Sequence, residues 1–224
     1  RALGPGPSDG ARDGGRVAVM PAIRPVRVAL GQPDALPLAE AEARYALEAM
    51  LTTAGLAWRW VEPTPDAGPD IVYGPESVAG AGMHVVAARR PAPLGSGWRV
   101  ERTPHGTFLR RSGDEAPAVD RDADRLRLGA DVVLAAFALL SGALEADLPR
   151  DRWGRHELRG GLLFDEALLH TPLVDHWAGL FRERFAASHG ALPPWPDGRR
   201  YAVCLSHDVD YPEMVRWIEA LRCL

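Results

Sequence analysis

The residues best suited to chemistry stand in one short run, Leu-Ser-His-Asp-Val-Asp, residues 205–210. It follows an apolar stretch, Tyr201-Ala-Val-Cys-Leu205, that reads as a buried strand. Side chains alternate along a strand. If the strand persists to Asp210, then Ala202, Cys204, Ser206, Asp208 and Asp210 share one face and His207 points to the other. Two carboxylates two residues apart on one face can share a divalent cation. Alternatively one binds the metal while the other takes a proton from metal-bound water, whose pKa the metal has lowered. Asp is poorly suited to strands, so two in succession call for a reason. The ordinary alternative is a helix N-cap before Tyr-Pro-Glu-Met-Val-Arg-Trp, and Asp-x-Asp also arises by chance.

The elements that would position this run come earlier in the chain. "VRVALG", Val26 to Gly31, reads as a strand closed by Gly. A helix is expected over 38–54, with Ala43, Leu47, Met50, Leu51 and Ala54 on one face and Gly55 as its stop. "LAWRWV", with Trp58 and Trp60 on one face, "DIVYG" and "MHVVAAR" read as further strands. "GWRVERTPHGTFLRR" reads as a hairpin turning at Pro104, His105 and Gly106. The most apolar segment, Ala130 to Leu144, is expected to be a helix buried on most sides. Thr171 and Pro172 are expected to be the N-cap and first residue of another helix. Its apolar stripe is Val174, Trp177, Phe181 and Phe185, and Gly190 ends it. "LPPWPDG" cannot continue that helix and reads as a rigid linker.

The expected organisation is therefore a disordered tail at 1–23, an α/β domain at 24–190, a Pro-rich linker at 191–199, and a new domain opening at 200–224. The tail is rich in Gly, Pro, Ser, Asp and Arg with little to bury. It lacks a starting Met, so the chain reads as a fragment or a processed form, with Met20 available as a start.

The "HDVD" motif at the end of an apolar strand resembles the first motif of the polysaccharide deacetylase family, carbohydrate esterase family four, in the subset with a His-Asp-x-Asp form. Upstream, "RYALEAMLTTAGLAWRWV", "DIVYG", "DVVLAAFALLSGALEAD" and "PLVDHWAGLFRERF" resemble, in order, an uncharacterised domain that precedes the deacetylase barrel in that subset. The resemblance covers residues 26–212. It implies that Asp208 is the general base on the attacking water and Asp210 a ligand of a divalent metal, usually zinc. It implies a supporting hydrogen bond from His207. It also implies a distorted β/α barrel that hydrolyses N-acetyl groups of a sugar polymer. The fold class expected is thus α/β: a mixed-sheet N-terminal accessory domain followed by the truncated start of a β/α barrel.

The departure from the family is as informative as the match. The family completes its metal site with a His-x-x-x-His pair further downstream. This chain has seven histidines, at 84, 105, 156, 170, 176, 189 and 207, and no two are four apart. A zinc site wants three protein ligands and an open position. The expectation is that the divalent metal belongs to the full-length protein, that this chain binds none tightly, and that the isolated chain does not deacetylate.

Composition bounds the partners. The net charge is -4, and all 26 basic side chains are Arg. Neither nucleic acid nor an anionic membrane is expected as partner. No run approaches the roughly 20 apolar residues of a membrane span, and no apolar signal core precedes Val26, which favours the cytoplasm. Cys204 and Cys223 form no C-x-x-C, and Cys204 is expected to be buried in its strand.

Other classes compete. "DVD" also resembles the metal-binding Asp-x-Asp of sugar-nucleotide glycosyltransferases, but no Gly-rich phosphate loop follows "VRVALG". The haloacid dehalogenase type opens similarly, yet has Gly-Thr where this chain has Tyr211 and Pro212. A non-enzymatic glycan- or partner-binding α/β module is the principal alternative. Trp98 and Trp153 are its best candidates for a sugar-stacking surface, Trp177 and Trp217 for core. "DRWGRHELRGG", residues 151–161, reads either as an anion cradle or as a solvated loop with scattered ion pairs.

Overall fold

The structure is a computed structural model. It describes residues 22–206 except 63–67, 79, 89–93, 95–96, 112–116, 123, 158, 160, 194, 196–198 and 200. The chain divides into two compact units, Arg1–Leu192 and Pro193–Leu224.

The first unit is built on a mixed six-stranded sheet. Strand β1 (Val26–Leu30) leads through helix α1 (Glu40–Thr53) to β2 (Trp58–Trp60), then to β3 (Ile71–Gly74) and β4 (Met83–Val86). A separate antiparallel hairpin, β5 (Trp98–Thr103) and β6 (Gly106–Arg111), interrupts the sheet's progress. The short strands β7 (Val119–Arg121) and β8 (Leu126–Leu128) return to it. The sheet order is β2-β1-β3-β4-β8-β7. All neighbours run parallel except the β7–β8 pair. Helices α2 (Val132–Leu140), α3 (Glu166–Leu169) and α4 (Leu173–His189) follow.

Register explains how the core is filled. Val26 and Val28 lie opposite Trp58 and Trp60, and Val28 lies opposite Ile71. Ile71 and Tyr73 lie opposite Met83 and Val85, which in turn meet Leu126 and Leu128. These side chains share one face and one apolar core with α1, α2 and α4. The expected α1 stripe of Ala43, Leu47, Met50, Leu51 and Ala54 is buried, as are Trp177, Phe181 and Phe185 of α4. Trp60 keeps its polar handle satisfied, donating from Nε1 to Glu48 of α1 at 2.9 Å.

The next residue on each strand points to the opposite face. Arg27, Ala29, Val72, His84, Arg127 and Asp120 are therefore carried there, with Val72, His84, Arg127 and Asp120 aligned in register across four strands.

A buried carboxylate ties the two levels together. Asp131, 3% exposed, caps α2 by accepting from Leu134 N–H at 2.9 Å. Its other oxygen accepts from Ala88 N–H at 2.7 Å and from the Tyr73 hydroxyl at 3.1 Å. Burial, then the Asp131 charge and hydrogen bond, push the Tyr73 phenol well above its ordinary range. Tyr73 is thus a permanent donor to that carboxylate.

Several expectations need correction. The helix expected over 130–144 ends at Leu140, because Gly142 takes a positive φ of 71° and the chain continues in turns. The cap of α4 is Pro172, not Thr171, and no side chain caps it. Proline's fixed φ suits the start of a helix, but here it lies one position outside. Residues 201–206 carry no strand, and Cys204 is exposed, not buried. A lone apolar run has no ladder to join among the described residues, and a strand needs partners to persist. Strands β7 and β8, three residues each and laced with Asp and Arg, gave too little apolar alternation to be read.

Candidate functional site

The three residues singled out for chemistry, His207, Asp208 and Asp210, lie outside the described residues, as does Trp217. What the second unit does display is Tyr201, Val203 and Leu205, which are 75%, 72% and 89% exposed. Among the described residues, no three His, Cys, Asp or Glu side chains converge so as to hold a metal ion. The described residues therefore offer no ready-made ligand set.

Within the first unit, three places concentrate polar side chains. The first is the C-terminal end of β1 and β3. In doubly wound sheets ligands gather where the strand order reverses, and β1 lies at that point here. Gly31 and Gly74 meet there so closely that a Cβ on either would sit 3.1 Å from the other's Cα. The adjoining cleft, about 210 Å³, includes Glu40, Arg44 and Trp60. Arg44 donates to Glu40 at 2.8 Å and stacks 4.3 Å over Trp60. Its charge is already satisfied, and Glu40 and Glu42 in the first turn of α1 oppose an anion there.

The second is a Ser-His-Asp arrangement. Ser188 Oγ lies 2.9 Å from His189 Nδ1, and His189 Nε2 lies 3.4 Å from Asp70 Oδ2. The types suggest a nucleophile with its base, but the surroundings do not. Asp70 already accepts from Arg27 Nε, Nη2 and backbone N–H at 3.1, 2.9 and 2.8 Å. Arg24 Nη2 stands 3.4 Å from the same His189 nitrogen. Ser188 and His189 also close α4, and a helix C-terminus presents carbonyl oxygens, the opposite of an oxyanion hole. The cluster ties α4 to the starts of β1 and β3. Burial raises the Asp70 carboxyl, but hydrogen bonds and charge from Arg27, with the nearby His189, outweigh it and hold Asp70 below the usual range.

The third place is a cleft of about 370 Å³ beside the polar row of the sheet. Parallel neighbours start at the same end, so the chain leaving β3 must run back to begin β4. Pro75, Ser77 and Ala81, between the two strands, form one wall. The β7–β8 hairpin forms the other, with Asp120, Asp122, Arg125 and Arg127. Its turn is built by Asp122, whose Oδ1 accepts from Asp124 and Arg125 N–H at 2.9 and 2.8 Å. These backbone bonds, foremost among the causes, hold Asp122 below the usual carboxylate range. Arg184 of α4 fastens both walls, donating to Asp124 O at 2.6 Å and Gly82 O at 3.2 Å.

His84 lies on the floor of this cleft and is 7% exposed. Its Nε2 stands 2.9 Å from Gly74 O. A carbonyl only accepts, so Nε2 carries the proton and Nδ1 keeps its lone pair. Burial pushes His84 below its ordinary pKa; the Gly74 bond opposes this and the Arg127 charge adds to it. The imidazole is therefore neutral at neutral pH. Sequence alone gives His84 no functional role beyond its strand. The signal was available in principle, as a His in the middle of an apolar strand, but nothing local showed that Arg127 and Asp120 would align with it.

The two sugar-stacking candidates differ. Trp98 is half-buried, donates from Nε1 to Leu94 O at 2.6 Å, and packs against the core. Trp153 is 64% exposed, but Arg152 and Arg155 stand 3.8 and 4.9 Å from its ring centre. Arg155 also pairs with Asp151 at 2.9 Å, and Arg150 donates to Gly154 O at 2.6 Å. Those contacts engage Arg150, Arg152 and Arg155 within the loop itself, as in a solvated loop with scattered ion pairs.

No family model, curated protein or solved structure matches the chain.

Proposed function

We propose that this chain is the N-terminal part of a metal-dependent polysaccharide deacetylase. In this reading residues 24–190 are an accessory α/β domain and residues 200–224 open a β/α barrel. Asp208 serves as the base and Asp210 as a ligand of a divalent metal, zinc being the expected ion, with His207 in support. The substrate class is a polymer of N-acetylated sugars.

One observation carries the reading. The first unit closes its own core and ends at Leu192, while Tyr201, Val203 and Leu205 stand exposed immediately before His-Asp-Val-Asp. An apolar strand sequence that finds no core beside it is what the opening strand of a larger sheet would be. Helix α1, strand β3 and helices α2 and α4 also fall on the four upstream segments that carry the family resemblance.

The test uses the protein translated from the complete native reading frame. Metal-dependent release of acetate from an N-acetylated amino-sugar oligomer is expected. Asp208→Asn should abolish turnover while leaving metal content intact, and Asp210→Asn should lower metal content. An open frame that stops after codon 224, or turnover indifferent to both substitutions, overturns the proposal.

The second reading, a non-enzymatic binding module, is favoured by the 370 Å³ cleft, which belongs wholly to the first unit.

A further inference from the structure

We propose that the cleft over His84 binds a small hydroxy-carboxylate, a sugar acid in its simplest form. The inference stands apart from the deacetylase reading, since every residue it uses lies in the first unit.

The argument begins with what is unpaired. Arg125 and Arg127 alternate with Leu126 on β8 and its approach, so both guanidinium groups leave the core on the polar side. Neither guanidinium donates a hydrogen bond or stands within ion-pair distance of a carboxylate among the described residues, although the Arg125 charge acts on Asp122 and the Arg127 charge on His84. Arginine in this protein is otherwise commonly engaged: Arg27 with Asp70, Arg44 with Glu40, Arg121 with Glu183. Two guanidinium groups with open hydrogen-bond donors lining one cleft are a receptor for an oxyanion, and their planar forks fit a carboxylate.

Shape and the remaining groups narrow the class. His84 Nδ1 has no partner among the described residues, and its lone pair asks for a donor. Asp120, on the far side of Arg127 in the register, asks for the same. A ligand must therefore bring hydroxyl donors along with its anion. The carboxylates of Asp120 and Asp122 disfavour a dianion, which sets a carboxylate above a phosphate. A cleft of about 370 Å³ suits one such ring or short chain. Pro75, Ala81 and Leu126 add apolar surface for the ligand's carbon face.

The experiment titrates the 224-residue chain with D-glucuronate, D-glucose and inorganic phosphate, read by amide shifts and calorimetry. Glucuronate should bind saturably and move amides of 75–84 and 118–128. Glucose, lacking the carboxylate, should bind at least tenfold more weakly, and phosphate more weakly than glucuronate. Arg127→Gln should weaken glucuronate by roughly tenfold or more. Arg127 is partly exposed and unpaired among the described residues, so this variant is expected to fold. Ser77→Ala, on the exposed wall, offers a second variant with a smaller loss. Absence of saturable glucuronate binding, binding unchanged in Arg127→Gln, or phosphate binding as tightly as glucuronate would each overturn the proposal.

Discussion

The two faces of the six-stranded sheet come from the same strands, one residue apart. One face presents Val28, Ile71, Tyr73, Met83, Val85 and Leu128 to the helices. The other presents Arg27, Ala29, Val72, His84, Arg127 and Asp120. The first is apolar throughout, while the second mixes the charged Arg27, Arg127 and Asp120 and the imidazole of His84 with the buried Ala29 and Val72. Alternation lets a short chain assign stability and recognition to opposite sides of one backbone, with little interference between them.

That separation can be broken most directly by comparing one substitution on each side. Trp177 of α4 is fully buried and donates from Nε1 to Thr107 O at 3.0 Å. Trp177→Ala should cost about 3–5 kcal/mol, from lost burial and the cavity left behind. Arg127→Ala should cost less than about 1 kcal/mol, because its head group has no partner among the described residues to lose. Urea midpoints measure both. Comparable losses would show that the polar face is also structural.

Asp131 comes next in size. It caps α2, receives Ala88 N–H and accepts from Tyr73, so Asp131→Ala strands two buried donors and one half-buried one. The expected loss is roughly 2–4 kcal/mol. Tyr73→Phe removes one donor while the Leu134 and Ala88 N–H groups still reach the carboxylate, and should cost about 1 kcal/mol. A larger loss from Tyr73→Phe than from Asp131→Ala would mean that the hydroxyl, not the cap, fixes α2.

Much of the apolar face was legible in sequence. Spacing alone placed the buried residues of α1 and the Trp177, Phe181 and Phe185 stripe, since helical periodicity needs only local information. The β5–β6 hairpin was readable because Gly106 must adopt a positive φ, 122°, at its turn. The polar face was not legible. His84 lies 36 residues before Asp120 and 43 before Arg127, and only the β4-β8-β7 order makes them neighbours. Nor did sequence disclose that Pro75, Ser77 and Ala81 would wall the cleft, since a return between parallel strands is usually longer and helical. The expected chemistry of Asp208 and Asp210 rested on a motif, and its residues lie outside those described.

Smaller effects should follow pH, with the two faces responding in different windows. His84 has a folded pKa below its ordinary value near 6.5. The unfolded chain therefore takes up that proton first. His84's contribution is fully present above about pH 6.5 and declines as pH falls toward the folded value. Asp70 is also depressed, so its contribution is present above the usual carboxylate range near 4 and is lost only as pH falls through its lower folded value. Denaturation midpoints from pH 8 to 3 should show two separate declines. His84→Gln should remove the upper one alone, and Asp70→Asn should shrink the lower without removing it, since Asp122, Asp151 and Glu183 are depressed as well. Loss of both in either variant would show that the polar face and the α4 anchor unfold as one electrostatic unit.

The smallest effect tests the second unit against the first. Leu205 is 89% exposed, whereas Leu128 in strand β8 is fully buried. Burying a leucine is worth about 1.5–3 kcal/mol relative to leaving it in water. Leu128→Ser should therefore lower the urea midpoint substantially, and Leu205→Ser should leave it unchanged within about 0.5 kcal/mol. What Leu205→Ser should alter is self-association. Tyr201, Val203 and Leu205 place apolar side chains alternately along an unpaired segment, the arrangement that recruits a second strand. Light scattering of the wild-type chain should rise with concentration, and the serine variant should reduce that rise. A stability loss on Leu205→Ser, with scattering unaltered, would mean that the side chain is buried in solution, and that the run from Tyr201 to Leu205 already has the partner that the deacetylase reading assigns to a barrel.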